Sequence, residues 1–167
     1  MNKINHYLSM LCFALGIMLG VQLPNWVNQY VQRVDAHFRE AELAIAPYQL
    51  LADQLFDGSM QALIDKHLQS LEPLFKREAE PIRAQYQRWQ YLQKLHQQLQ
   101  GNFWRQLQHI ALHADQAIVN ETLESYQATV PLNRLAIICG LLGGILASIL
   151  YELVTALLVS PFKTKKA

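Results

Sequence analysis

Residues Leu135 to Val159 form a run of 25 positions that holds a single charged side chain, Glu152. An α-helix needs about 20 predominantly apolar residues to cross the hydrocarbon of a bilayer, so this run reads as a transmembrane helix. Tyr7 to Leu23 is a second apolar run, 17 residues without a charge. As a helix it reaches about 25 Å, the short end of what spans a membrane. The chain is 51% hydrophobic and 16% charged, against about 25% charged in a soluble domain, and these two runs account for most of the difference. A formal net charge of +1 gives no basic surplus of the kind that nucleic acid attracts, so nucleic acid is not an expected partner.

Lys3 ahead of an apolar stretch is also the layout of a cleavable signal peptide. That stretch closes on Gly20-Val21-Gln22-Leu23-Pro24 without a small-x-small site, and Cys12 follows Leu11, which is not a lipoprotein-type site. An uncleaved anchor fits better. Lys3 and the α-amino group at one end, and Lys163, Lys165 and Lys166 at the other, put the tails 1–6 and 160–167 in the cytoplasm by the positive-inside rule. Residues 24–134 then lie outside, although Arg33, Arg39 and Arg134 weaken the bias. Cys12 and Cys139 fall in opposite halves of antiparallel spans, too far apart for the Cα separation of about 6 Å that a disulfide needs. The cysteine-free middle must hold together by packing.

Helices in lipid associate through close approach at small residues. Span 7–23 carries Cys12, Gly16 and Gly20, and span 135–159 carries Ala136, Gly140, Gly144 and Ser148, each set spaced by four. With Pro24 and Pro131 at one level, the expected pairing sets Gly20 on Ala136, Gly16 on Gly140 and Cys12 on Gly144. The same faces also offer a route to a homodimer. Four residues further on stands Glu152, level in this register with Lys3 and Asn5; an intramembrane carboxylate is a structural ion, a recruiter of a polar partner or a transport site.

The middle region reads as wholly helical. Val27, Val31, Val34, Phe38, Ala41, Ile45, Tyr48, Ala52 and Leu55 alternate spacings of four and three, the mark of a packed seam. Pro47 is expected to kink that helix or restart it. Asp57-Gly58-Ser59 supplies a turn with Ser59 as N-cap. A second helix from Met60 is expected to bend at Pro73 and end at Glu78 to Pro81, a third to run from Ile82 to Leu99, and Gly101-Asn102 to break it before a fourth beginning at Phe103; the alternative is one continuous helix of about 50 residues through Gly101, since glycine costs only about 1 kcal/mol inside a helix. Helices of about 33, 20, 18 and 29 residues, out and back twice, return the chain to the membrane face it left. The expected fold is all-α: two transmembrane helices flanking an extracytoplasmic antiparallel bundle.

Phosphate-binding loops, Cys-x-x-Cys pairs, nucleophile elbows and His-Glu-x-x-His motifs are absent from the sequence, so no enzyme activity and no cofactor are expected. His109 and His113 are spaced i, i+4 on one helix face, and His67 falls at nearly the same level when counted from the two turns, which makes a three-histidine metal site conceivable. The glutamines of the third and fourth helices read as a solvated surface.

Four stretches carry a resemblance: Phe13-Ala14-Leu15-Gly16 through Gln22-Leu23-Pro24, Gln29-Tyr30-Val31-Gln32-Arg33, Phe56-Asp57-Gly58-Ser59-Met60-Gln61-Ala62-Leu63-Ile64, and Val130-Pro131-Leu132. With these the chain resembles an uncharacterised family of small bacterial inner-membrane proteins, a domain of unknown function. The resemblance implies a bacterial inner membrane and a periplasmic middle region, and it brings no activity or catalytic residue. In layout, two spans around a helical bundle are also similar to the sensory portion of chemoreceptors, but with few cytoplasmic residues at either end any signal must pass to a partner. The leading expectation is a non-enzymatic membrane protein, in contact with lipid, whose periplasmic helices bind or organise another envelope protein or a second copy. The alternatives are a sensory or ligand-binding module and a transport accessory that uses Glu152.

Overall fold

The computed structural model describes residues 3–129 and 133–159, with side chains from 4 to 157. The side chain of Lys3, the stretch 130–132 and the basic tail from 160 lie outside the described residues. Among the described residues every regular element is an α-helix: α1 (Lys3–Leu55), α2 (Met60–Leu68), α3 (Pro73–Gln98), α4 (Phe103–His113), α5 (Gln116–Glu124) and α6 (Arg134–Val159).

α1 runs unbroken through Pro24, the boundary read between the first span and the middle region, and through Pro47, where a kink or restart is expected from the sequence. A proline inside a helix removes one hydrogen bond and costs about 3 kcal/mol. Packing along the helix outweighs it, because Val27, Tyr30, Val34, Ala41, Ile45 and Ala52 are all buried, and burying a large aliphatic or aromatic side chain contributes about 2 kcal/mol. The seam expected from the spacing is therefore present, with two changes. Tyr30 is fully buried, whereas Leu55 is exposed.

The turn after α1 forms at Asp57 and Gly58, both with positive φ (50° and 81°), and the Ser59 hydroxyl caps α2 by accepting from Ala62 N at 3.2 Å. The next break falls earlier than expected. α2 ends at Leu68, and Pro73 opens α3 at its first turn after Glu72, which is extended (φ −79°, ψ 118°). A residue before proline is pushed out of the helical region, and proline's missing N–H is harmless at a helix start. α3 then continues through Pro81, so the expected helices 60–78 and 82–99 give way to a short α2 and a long α3. Leu71, between them, is 101% exposed.

Gly101 has φ +126°, a region that L side chains rarely adopt, and Asn102 caps α4 by accepting from Arg105 N at 3.1 Å. The expected fourth helix is divided in two. Ala114 is extended (ψ 139°), and Asp115 Oδ1 accepts from the backbone N–H groups of Ala117 and Ile118 at the start of α5.

The chain packs as two compact units. One comprises Met1–Gln29 with Leu123–Ala167, and the other Tyr30–Thr122. In the second, Ile45, Ala52, Met60, Leu63, Ile64 and Ile82 form the core, with Tyr48, Phe56, Leu68, Tyr86 and Trp89 packed against it. Contacts of Asp35 with His96 and of Glu40 with Arg88 show α3 running opposite to α1 within this unit.

Candidate functional site

In the first unit α1 and α6 meet backbone to backbone. A Cβ placed on Gly16 would lie 2.5 Å from Gly143 O, one on Gly143 would lie 2.5 Å from Gly16 O, and one on Gly20 would overlap the carbonyl of Cys139. Gly140 and Gly144 receive side chains instead: Val21 Cγ2 and Phe13 Cε2 stand 2.7 and 2.8 Å from where their Cβ atoms would be. Ala136, Cys139, Gly140 and Gly144 are buried, and Cys12 and Ser148 are half-buried. The register differs from the expected one. Gly20 meets Cys139 and Gly140 rather than Ala136, and Gly16 meets Gly143 and Ala147 rather than Gly140. The α6 contacts fall at 139, 140, 143, 144 and 147, so spacings of three and four both occur, as in coiled-coil-like packing, whereas the expectation used fours alone and passed over Gly143.

That shift moves Glu152. Carried along the observed register it stands level with Tyr7, about one helical turn deeper than Lys3. The side chain is exposed, its carboxylate forms no ion pair among the described residues, and the expected partner Lys3 has its side chain outside them. Its carbonyl accepts from Thr155 Oγ1 at 2.9 Å. Leu11, Leu15, Leu19, Leu141, Leu142, Ile145 and Leu146 are exposed along the two helices, and α1 and α6 are both long and apolar enough to cross a membrane. At the opposite end of the pair, polar side chains join the segments: Asn25 and Gln29 donate to Gln127 O at 2.9 and 3.0 Å, and Tyr126 Oη donates to Gln22 Oε1 at 2.8 Å.

The second unit is braced by carboxylates that the sequence did not single out. Glu121 on α5 accepts from Arg33 Nη1 at 2.7 Å and contacts His37 Nε2 at 2.7 Å. The bond to His37, followed by the one to Arg33, holds its pKa below the usual carboxylate range despite some desolvation. Asp115 takes the Tyr91 hydroxyl at 2.7 Å, and its own N–H donates to Tyr30 Oη at 3.0 Å. Burial would raise the Asp115 pKa, but the bonds from Tyr91, Ile118 N and Ala117 N outweigh it and the net shift is downward. The same bond, with burial and the nearby charge adding to it, pushes the Tyr91 hydroxyl up to about 12. Asp115 was detectable in principle, since an aspartate two residues before a new apolar stripe is an N-cap signal.

His109 and His113 stack with ring centroids 5.5 Å apart. His67 is elsewhere, edge-on to Phe75 with Nδ1 2.8 Å from Leu63 O. The three-histidine grouping is not formed, and among the described residues no three of His, Cys, Asp and Glu converge on a metal position. Level-counting places the Gly58 and Gly101 turns at one end of the bundle, with the helix up to Leu99 parallel to α1; because α3 runs opposite to α1, with Arg88 at Glu40 and His96 at Asp35, the two turns lie at opposite ends of this unit.

A family model described as protein of unknown function (DUF2937) matches residues 4–164, and the chain belongs to that family. No curated protein and no solved structure matches the chain.

Proposed function

We propose that this family member is a membrane-anchored docking protein of the bacterial inner membrane. In this reading α1 and α6 cross the bilayer as a pair, both termini are cytoplasmic, and the helices of the second unit form an antiparallel periplasmic bundle that binds another envelope protein without chemistry of its own. One observation carries the reading. Leu43, Ala46, Pro47, Leu50 and Leu51 are exposed together on α1 within the second unit, and Leu43 and Leu50 are 75% and 58% exposed. Helical spacing gathers them into one apolar stripe, a surface that soluble helices seldom leave uncovered unless a partner covers it. The occupant that fits is the apolar face of a helix from another envelope protein, laid along the stripe.

The test is a photoreactive residue at Leu50 in the full-length protein, crosslinked in intact cells. The expected result is one heteromeric adduct of fixed mass at Leu50, lost when Leu43→Glu is added, and no adduct at the exposed polar control Gln87. Self-crosslinks alone, or equal labelling at both positions, would overturn the adaptor role.

A further inference from the structure

The helix hairpin of α3 and α4 encloses a cleft of about 550 Å³ lined by Lys94, Gln97, Arg105, Gln108, His109 and His113 among others. No carboxylate lines it. Four other arginines of this unit are held by acids, Arg33 by Glu121, Arg39 by Asp35, Arg83 by Glu80 and Arg88 by Glu40. Lys94 and Arg105 form no ion pair among the described residues. His109 Nε2 is buried and has no hydrogen-bond partner among them, although a buried polar atom left unpaired is costly. Burial, followed by the adjacent His113, lowers the His109 pKa, which favours the neutral ring, and an anion in the cleft would oppose that shift.

Cations from two facing helices, an orphaned imidazole nitrogen and glutamine amides thus converge on one space with nothing in its lining to repel negative charge. A phosphoryl group, with several strong acceptor oxygens, satisfies donors on both walls at once, which a single carboxylate does less well. We propose that the α3–α4 cleft is a binding site for a phosphate-bearing ligand, with Lys94 and Arg105 as its charge partners and His109 and the glutamine amides as additional donors. The phosphoryl group is that of a soluble phosphate or of a phospholipid headgroup, and this assignment is independent of the docking stripe on α1.

The experiment uses the full-length protein and two arms at fixed ionic strength. In the first, inorganic phosphate is titrated into protein held in neutral detergent. In the second, phosphate is omitted and the protein is placed in phosphatidylcholine nanodiscs with and without phosphatidylglycerol. Histidine ring NMR signals and the thermal midpoint are read in both. Saturable shifts at His109 and His113 but not at His67 are expected, with a midpoint rise of about 4 °C at a tenfold excess over Kd. A response to inorganic phosphate assigns a soluble ligand, and one confined to phosphatidylglycerol assigns a headgroup. The double substitution Lys94→Glu, Arg105→Glu, with unchanged helical circular dichroism, is expected to weaken binding more than about tenfold. Silence in both arms, or a variant that titrates like the parent, would overturn the site.

Discussion

The two units of this chain are held together by opposite means. Between α1 and α6 the contact depends on atoms that are missing: Gly16, Gly20 and Gly143 have no Cβ, and the carbonyls of the facing helix occupy that space. In the Tyr30–Thr122 unit the contact depends on large side chains, with Ile64, Leu63, Ile82 and Tyr30 almost wholly buried and Glu121 and Asp115 tying helices across the gaps. The difference is the one the proposed membrane anchor requires, with lipid around one unit and water around the other. Where lipid is as apolar as leucine, burying leucine gains nothing, and close backbone packing is what favours association. In water, apolar area removed from solvent is the main favourable term, and buried polar groups must find one another.

Ile64→Ala removes a side chain with 0% exposure and is expected to destabilise the second unit by about 3 kcal/mol, read as a shift in the denaturant midpoint followed by Trp89 fluorescence. The span pair should not respond. Gly16→Leu reverses the pattern: it is expected to cost the α1–α6 contact about 2 kcal/mol by overpacking, seen as a broadened distance distribution between spin labels at Leu11 and Ile149, while the Trp89 transition stays in place. If either substitution moved both readouts equally, the two units would not be distinct in energy.

Asp115→Ala removes the α5 cap and strands the Tyr91 hydroxyl, for an expected loss of about 1 kcal/mol in the second unit alone. Asp115→Asn, which can still cap, should recover most of it. Acid provides the smallest effect. Glu121 and Asp115 have lowered pKa values in the folded state, so the stability they confer is complete above the ordinary carboxylate range and is lost as pH falls through the folded values. Because the Glu121 side chain is 45% exposed, solvent screening keeps its share below about 1 kcal/mol. Denaturation midpoints of the second unit should fall between pH 5 and pH 2, and Glu121→Gln should flatten part of that slope.

Sequence reasoning succeeded where one residue's backbone decides the outcome. Asp57-Gly58-Ser59 and Gly101-Asn102 need positive φ and a capping side chain, and both breaks occur there. It failed at prolines, because a proline's local penalty competes with packing that lies far away in sequence. Pro24, Pro47 and Pro81 are carried inside helices, and Pro73, read as a bend, is a helix start. The all-helical character and the two apolar helices followed from periodicity and length. The exact register of the glycines did not, since a spacing of four and an alternation of four and three are equally present in Ala136-x-x-x-Gly140-x-x-Gly143-Gly144. Lys94 and Arg105 carried no motif, and only the turn at Gly101 brings them to one cleft.

Leu71 stands fully exposed in the short segment between α2 and α3, an apolar side chain of the type that chymotrypsin-like proteases prefer. Those enzymes bind substrate as an extended strand longer than this segment, so cutting there requires neighbouring residues to leave their helices. α3 is long and anchored by Ile82, Leu92 and Leu95, whereas α2 has nine residues. The rate of nicking after Leu71 is therefore a clock for the local opening of α2, built into the chain and readable on a gel without any label.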